Sequence, residues 1–131
     1  MKGYTGNIET DTRANADFRR VLYTGRHSQL VLMNLRPGEE IGLEVHTDTD
    51  QFFRFETGQG QVIIDESVYE VADGVAVIVP AGAQHNVVNT GDIDLKLYTI
   101  YSPAHHKDGI VRTTKEDAVA QDAPFDGVTT E

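Results

Sequence analysis

The sequence predicts an all-β domain, an antiparallel barrel or jelly roll, followed by one short C-terminal helix. Three observations lead to this prediction. Short apolar runs dominate from about residue 18 to residue 102, several of them alternate with period two, and turns rich in glycine, proline, aspartate or asparagine separate them. Strands at regular short spacing, with no helix of usable length between them, are typical of barrels and jelly rolls.

Eight or nine strands follow one another along this part of the chain. Each segment is apolar, most are rich in β-branched or aromatic residues, and each is bounded by turn chemistry such as LRPGEE, TGQG or PAGA. The predicted strands are 18–25, 28–35, 41–46, 51–58, 60–65, 68–74, 75–80, 84–90 and 94–103.

The predicted helix lies near the end of the chain. Thr113 and Glu116 have the spacing of a capping box ahead of KEDAVAQ, which predicts a helix over 114–121. The last residues, APFDGVTTE, are polar and acidic and predict a loose tail. A length of 131 residues suits one domain, so we expect a single domain over 1–131 with a barrel core over 18–102 and an extension over 103–131.

Composition excludes several classes of function. Asp and Glu number 21 against 11 Lys and Arg, and the resulting charge of −10 disfavours nucleic acid and anionic membranes as partners. The absence of cysteine excludes disulfides, thiolate nucleophiles and cysteine-held metals, so any metal must be held by nitrogen and oxygen. No secretory signal or membrane-spanning run is visible, and we expect a soluble cytoplasmic protein.

Four side chains form a candidate metal site. Glu44 and His46 share one face of the third strand because alternate residues of a strand point the same way. Gln51 begins the next strand, and His85 follows the rigid turn PAGAQ. If the barrel brings these strands together, the four side chains offer nitrogen and oxygen ligands to a divalent metal. The alternative is a polar pocket without metal, in which Gln51 hydrogen-bonds Glu44 or His46.

These residues lie within two motifs that resemble the signature motifs of the cupins. The first motif comprises Gly38, Glu44, His46, Gln51 and Gly58, and the second comprises Gly74, Pro80, Gly82, His85 and Asn89. The chain is similar to a small single-domain cupin of the type 2 conserved-barrel, mannose-6-phosphate-isomerase-like group. The resemblance implies a double-stranded β-helix, a divalent metal, a small-molecule ligand in the barrel, and a homodimer that packs sheets together and exchanges N-terminal strands.

The first motif departs from the family pattern at two ligand positions. Cupins usually have His, His and Glu where this chain has Glu44, His46 and Gln51. The ligand charge stays at −1 because the carboxylate has moved from the third of these positions to the first. A Gln carbonyl is a weaker ligand than a carboxylate, so metal affinity should fall. Two histidines and one carboxylate suit Fe, and equally Mn, Ni, Zn or Co.

Two classes of function remain open. One is a metal-dependent enzyme, which the resemblance suggests is a sugar or keto-acid isomerase or an iron-dependent dioxygenase. The other is a non-catalytic protein that binds a small ligand and has a vacant or vestigial metal site. A phosphorylated sugar would need a basic side chain near the barrel mouth, and the inward-facing positions that can be assigned contain none.

Other side chains are weaker candidates for the site. His105 and His106 follow the last strand and are predicted to form a surface or rim segment that closes one end of the barrel. Phe53 and Phe55 are expected in the barrel core; they share a face with Gln51 and are the aromatic residues that could wall the pocket, whereas Arg54 should point away from it. A tyrosine of the segment 98–101 could reach the cavity, but the strand parity does not choose between Tyr98 and Tyr101.

Overall fold

Ten strands and two short helices make up the fold. The computed structural model describes residues 1–131. In chain order the elements are α1 (Ile8–Ala14), β1 (Arg19–Thr24), β2 (Gln29–Leu35), β3 (Glu44–Val45), β4 (Asp50–Thr57), β5 (Gln59–Ile64), β6 (Ser67–Ala72), β7 (Ala76–Val79), β8 (Gln84–Asn89), β9 (Leu95–Ser102), β10 (Val111–Arg112) and α2 (Lys115–Ala120). All nine predicted strands are present, although the third is reduced to two residues.

The strands form two antiparallel sheets that face each other. The larger sheet has six strands in the order β10-β1-β2-β9-β4-β7, and the smaller has four in the order β3-β8-β5-β6. Neighbours that are distant in sequence, such as β2 and β9, pair over their full length. This arrangement is the predicted double-stranded β-helix.

The core lies between the two sheets, and its residues change from apolar to polar along the length of the barrel. Phe53, Phe55 and Leu97 point inward from the larger sheet and are fully buried, as are Val62 and Val87 from the smaller one. Burying each such side chain contributes roughly 1.5–3 kcal/mol. Further along the same inward faces the residues become polar, so that one end of the barrel is an apolar core and the other holds the candidate site.

The helix α1 was not predicted, so the expectation of a single helix is wrong. It begins after Asn7, whose side-chain oxygen accepts the N–H of Thr10 at 3.0 Å, and it packs against β4 and β9. Lys96 of β9 donates to the carbonyl of Asn15 at 2.5 Å. The segment IETDTRA has too few apolar residues to show a helical period. Its packing on the sheet stabilises a helix that the sequence pattern does not indicate.

The predicted capping box of α2 is displaced by one residue. Thr114, not Thr113, caps the helix, and its hydroxyl accepts the N–H of Asp117 at 3.1 Å. The carbonyl of Thr113 accepts the N–H of Phe18 instead, at 3.1 Å, which holds the start of α2 next to β1. Neither helix is long and apolar enough to cross a membrane.

The C-terminal residues are docked, so the predicted loose tail is wrong. The N–H of Phe125 donates to the carbonyl of His105 at 3.0 Å, and the N–H of Thr130 donates to the carbonyl of Thr24 at 2.9 Å. The Glu131 carboxylate accepts the Tyr23 hydroxyl at 2.6 Å. These contacts fix the segment after β9 against the barrel end.

Candidate metal centre

Strand register brings Glu44, His46 and His85 together. The strands β3 and β8 are paired with Glu44 directly opposite His85, which places their side chains on the same face of the smaller sheet. His46 lies two residues after Glu44, and its carbonyl accepts the N–H of Gly82 at 2.8 Å. The turn before β8 therefore holds His46 close to His85. The position of His46 beside Glu44 agrees with the period of the third strand.

The ligand atoms of these three side chains lie within 4.8 Å of one another and could hold a metal ion. Glu44 Oε2 is 3.2 Å from His46 Nε2 and 3.9 Å from His85 Nε2. Two ligands that each lie about 2.1 Å from one metal are separated by at most ~4.2 Å. Both pairs meet that limit, and the widest separation needs an inward shift of only about half an ångström.

The tautomer of His85 leaves its Nε2 available as a ligand. His85 Nδ1 lies 3.2 Å from the Ala83 carbonyl oxygen. A carbonyl can only accept, so Nδ1 carries the proton and Nε2 carries the lone pair. This pairing of one ring nitrogen with a backbone carbonyl is the usual way in which a metal-binding histidine is oriented.

Gln51 approaches from the opposite sheet. It lies on β4 opposite Tyr101 of β9, and its inward-pointing side chain is 1% exposed. The amide nitrogen donates to Thr99 Oγ1 at 3.0 Å, while the amide oxygen Oε1 is buried without a hydrogen-bond partner. Gln51 therefore hydrogen-bonds Thr99 rather than Glu44 or His46, and its amide oxygen is left without a partner.

The unpaired atoms of the site fit a divalent cation. Nε2 of His85 and Oε1 of Gln51 are buried and lack a hydrogen-bond partner, and the buried Nε2 of His46 has only the Glu44 carboxylate beside it, at 3.2 Å. Each such atom costs about 1–3 kcal/mol when it is left unsatisfied. A cation bound between the two histidines would satisfy both imidazole nitrogens, and nitrogen ligands with one carboxylate suit the divalent first-row metals.

The electrostatics keep the site in the protonation state that a metal requires. Burial acts to raise the pKa of Glu44, but the hydrogen bond and charge of His46, with the charge of Arg19, hold this pKa below its ordinary value. Burial lowers the pKa of His85. A carboxylate and a neutral imidazole are the forms that bind metals.

A cavity of about 260 Å³ opens beside these side chains. Its walls come from the barrel and from the C-terminal extension, and the lining residues are Phe18, Arg19, Ile41, Glu44, His105, His106, Lys115, Ala118, Val119 and Asp122. The Glu44 side chain is 31% exposed, whereas those of His46 and His85 are 6% and 3% exposed. The candidate centre is therefore enclosed on one side and open to the cavity on the other.

The structure settles which tyrosine points inward. Tyr101 is 2% exposed and its ring lies 5.9 Å from that of His46, whereas Tyr98 packs outside against Phe52. The Tyr101 hydroxyl lies 3.2 Å from His106 Nε2, and burial raises the pKa of this hydroxyl, so it stays protonated at neutral pH. Phe53 belongs to the apolar core and does not line the cavity, although its ring lies 6.4 Å from that of His85.

His105 and His106 are part of the site rather than of the surface. The His105 ring lies 4.2 Å from that of His46, and His106 is 5% exposed. The buried side chain of Gln29 positions both residues, because its Oε1 accepts their backbone N–H groups at 3.2 and 3.0 Å. The docked tail turns this segment inward, and the adjacent pair of histidines directly after the last strand is the signal that points to it.

Arg19 is a functional candidate that sequence reasoning missed. No basic side chain was expected to face inward, but Arg19 lines the cavity and is 9% exposed. It lies on β1 at the entrance of the barrel, beyond the strands that carry the motifs. The dipeptide Arg19-Arg20 at a strand start is the available signal, because one of two adjacent residues must face inward.

The sequence profile of the cupin domain family matches residues 31–101, more than half of the chain. This chain belongs to the cupin family. It is 48% identical over 125 residues to the uncharacterized protein YrkC of Bacillus subtilis, a match that covers 91% of this chain and 67% of that protein.

Solved structures share the fold. The crystal structure of BH2720 from Bacillus halodurans superposes with a TM-score of 0.90 at 45% identity, covering 92% of this chain and 96% of that one. A predicted oxalate decarboxylase from Thermotoga maritima superposes with a TM-score of 0.57 at 22% identity, covering 60% and 68%. The second likeness concerns the fold alone.

Proposed function

We propose that this cupin is a metal-dependent enzyme that acts on a small polar molecule in the cavity. Glu44, His46 and His85 hold the metal, and Gln51 completes the set from the opposite sheet. The observation that carries the proposal is the meeting of three ligand atoms within 4.8 Å at the wall of a 260 Å³ cavity. Fe, Mn, Ni, Zn and Co all suit these ligands.

The side chains around the cavity support proton transfer at a carbon next to a carbonyl. A divalent metal at this site supplies Lewis acidity that polarises a carbonyl or hydroxyl oxygen. His105 lines the cavity beside His46 and can take a proton from a bound molecule. Tyr101 does not line the cavity, but its protonated hydroxyl lies 3.2 Å from Nε2 of His106, which does, so a proton can return by way of that imidazole. This arrangement favours a sugar or keto-acid isomerase over a dioxygenase, which would need no such pair.

Gln51 supports a second candidate, a non-catalytic binding protein. A neutral carbonyl at this position contributes less to metal affinity than the carboxylate that cupins usually have there. If the affinity falls below the metal concentration available, the same cavity binds a small molecule through its polar walls alone.

Metal analysis of the purified protein tests the proposal. We expect about one metal per chain after incubation with Mn, Ni, Zn or Fe(II), and a loss of affinity of more than about a hundredfold in Glu44→Ala, since metal sites lose about 10–100-fold even from outer partners. Glu40→Ala, at an exposed glutamate before β3, is the matched control and should bind as the wild type does. Equal metal contents in wild type and Glu44→Ala would refute a metal centre here.

Deuterium exchange separates the enzyme from the binding protein. The metal-loaded protein is incubated in D2O with a panel of aldoses, ketoses and 2-oxo acids, and proton NMR follows the carbon next to each carbonyl. The enzyme should exchange that proton in at least one compound, and His105→Gln should abolish the exchange while retaining its metal. Binding of a compound without exchange in any of them favours the binding protein.

A further inference from the structure

We propose that Arg19 forms an anion subsite in the cavity, so that the molecule bound there carries a carboxylate or a phosphate group. This inference rests on the function proposed above for the same cavity and adds the chemical class of its substrate. The anionic group would contact Arg19 on one wall while the reacting end of the molecule lies against the wall that contains Glu44.

Arg19 is a buried charge that forms no ion pair, although its charge lowers the pKa of Glu44 across the same cavity. It is 9% exposed, and its Nε is buried without a hydrogen-bond partner. None of the ion pairs within 4.0 Å includes Arg19, whereas Arg13, Arg20 and Arg54 each pair with a carboxylate. Burying a charge is unfavourable unless it is paired and hydrogen-bonded, so the position of Arg19 is best explained by an anion that binds to it.

The fold holds the guanidinium in place before any ligand arrives. Arg19 lies on β1 between Met33 of β2 and Arg112 of β10, and its guanidinium carbon is 5.3 Å from the centre of the Phe18 ring. The planar guanidinium offers parallel N–H donors that match the two oxygens of a carboxylate or phosphate. Because the backbone and the Phe18 ring position it, little ordering remains for a ligand to induce.

The other charges around the cavity strengthen the preference for an anion. Lys115 lines the cavity with Arg19, and Arg112 lies opposite Arg19 on the neighbouring strand with its guanidinium bonded to the Gln121 carbonyl. Two carboxylates, Glu44 and Asp122, also line it. With a divalent cation bound to Glu44, the positive charges around the cavity outnumber the negative ones. This is a local reversal in a chain whose overall charge is −10.

The size of the cavity and the chemistry of its walls limit the substrate. A volume of about 260 Å³ lies just below the usual range for small-molecule sites, which begins at about 300 Å³. A sugar acid, a 2-oxo acid or a small sugar phosphate would each combine the anionic group with the hydroxyl or carbonyl that the proposed function requires. The expectation that no basic side chain could bind a phosphorylated substrate is corrected by Arg19.

Calorimetric titration with a matched pair of probes tests the subsite. Pyruvate carries the anion and pyruvamide is its neutral analogue, and both are titrated into the Mn-loaded protein. We expect the wild type to prefer pyruvate by about tenfold to a hundredfold, the range of one charge-assisted hydrogen bond. Arg19→Gln should lose that preference. Arg20→Gln, which removes the same charge from the opposite face of β1, should retain it.

A second arm uses the metal-free protein, so that the two proposals can fail separately. Inorganic phosphate and pyruvate, each at matched ionic strength against chloride, should raise the melting temperature of the EDTA-treated wild type and not that of Arg19→Gln. The anion that gives the larger Arg19-dependent effect identifies the group as carboxylate or phosphate. If the wild type binds no metal but shows this effect, the proposed metal function fails and the subsite stands.

The subsite is overturned if the wild type shows no preference for the anion, or if Arg19→Gln retains the wild-type preference. Should Arg19→Gln fail to fold, Lys115→Gln replaces it, because Lys115 is only half-buried at the start of α2. That variant should lose about two- to fivefold of the preference, as expected for a partly exposed charge. An unchanged preference there would equally overturn the proposal.

Discussion

His106 is the buried titratable side chain with the clearest consequence in solution. It is 5% exposed, and burial together with the nearby charge of Arg19 lowers its pKa from 6.5 to about 2. The folded chain therefore keeps this imidazole neutral over a pH range in which the unfolded chain protonates it. Because the pKa in the folded state is lowered, the stability linked to His106 is present above pH 6.5 and is lost as the pH falls from there towards 2.

We predict that the metal-free protein loses about 2 kcal/mol of unfolding free energy from His106 alone between pH 7.5 and pH 5. Urea unfolding at the two pH values measures this loss. His106→Gln cannot take up the proton and should show a correspondingly smaller difference, whatever its stability at pH 7.5. His27→Gln, at an exposed turn position, should behave as the wild type does. A difference of the same size in His106→Gln and wild type would contradict the prediction.

Some residues of the site are positioned by local sequence patterns, and others are positioned by tertiary contacts. Glu44, His46 and His85 could be predicted from the sequence because strand period and a rigid turn fix them locally. Arg19 could be predicted only as one of a pair, because the strand period alone does not say whether Arg19 or Arg20 faces inward. His105 and His106 could not be placed, because their orientation depends on where the C-terminal residues dock. That docking uses backbone groups of Thr24, Phe125 and Thr130, which leave no pattern in the sequence.

Among the strands, the close approach of the β9 start leaves no room for a side chain at position 58. Its φ is +91°, and a Cβ there would lie 2.5 Å from the Asp94 carbonyl oxygen. Gly38 of the same motif also has a positive φ, +80°, but a Cβ there would meet nothing within 4 Å. Alanine substitutions at the two glycines therefore separate the energetic cost of backbone strain from the cost of steric overlap.

We predict that Gly38→Ala costs roughly 1–2 kcal/mol of unfolding free energy, the strain of a left-handed backbone alone. Gly58→Ala should cost at least about 1 kcal/mol more, because the β5 and β9 ends must also move apart. Chemical denaturation of both variants measures the difference. Equal losses would show that the chain relaxes around Gly58 at no cost.

The elements themselves were predictable where they are regular. The nine strands follow from period two and turn residues, and the family motifs assign their order in the barrel. The helix α1 is held by its contacts with β4 and β9 rather than by its own periodicity. The start of α2 moves by one residue because the Thr113 carbonyl bonds to Phe18, which leaves Thr114 as the cap. Tertiary contacts decide both cases.

At the scale of the whole molecule we propose a homodimer formed through sheet edges. The edge strand β6 exposes Val68 by 56% and Tyr69 by 50%, and Ile78 on the edge strand β7 is 66% exposed. Exposed apolar edge strands are ready to pair with another chain. We therefore place the dimer on these edges, and exchange of the N-terminal strands stays a second prediction for the same assembly.

Sedimentation equilibrium at micromolar concentrations should give twice the chain mass. The dimer should strengthen as salt is raised from 10 to 150 mM, because two chains of charge −10 repel each other and salt screens that repulsion. Val68→Lys should shift the equilibrium to monomer, while Ile93→Lys, at an exposed turn residue, should not. A monomeric wild type, or a dimer that Val68→Lys leaves intact, would contradict this placement.

The central claim is that Glu44, His46 and His85 form a metal centre. An anomalous difference map from crystals grown with Zn or Mn, with data collected at the absorption edge of the metal, tests it most directly. We expect one strong peak per chain, about 2.0–2.2 Å from the two imidazole nitrogens and a Glu44 carboxylate oxygen, with Gln51 Oε1 facing it. The claim is contradicted if the map shows no peak between the two sheets, or if the metal is bonded to other residues.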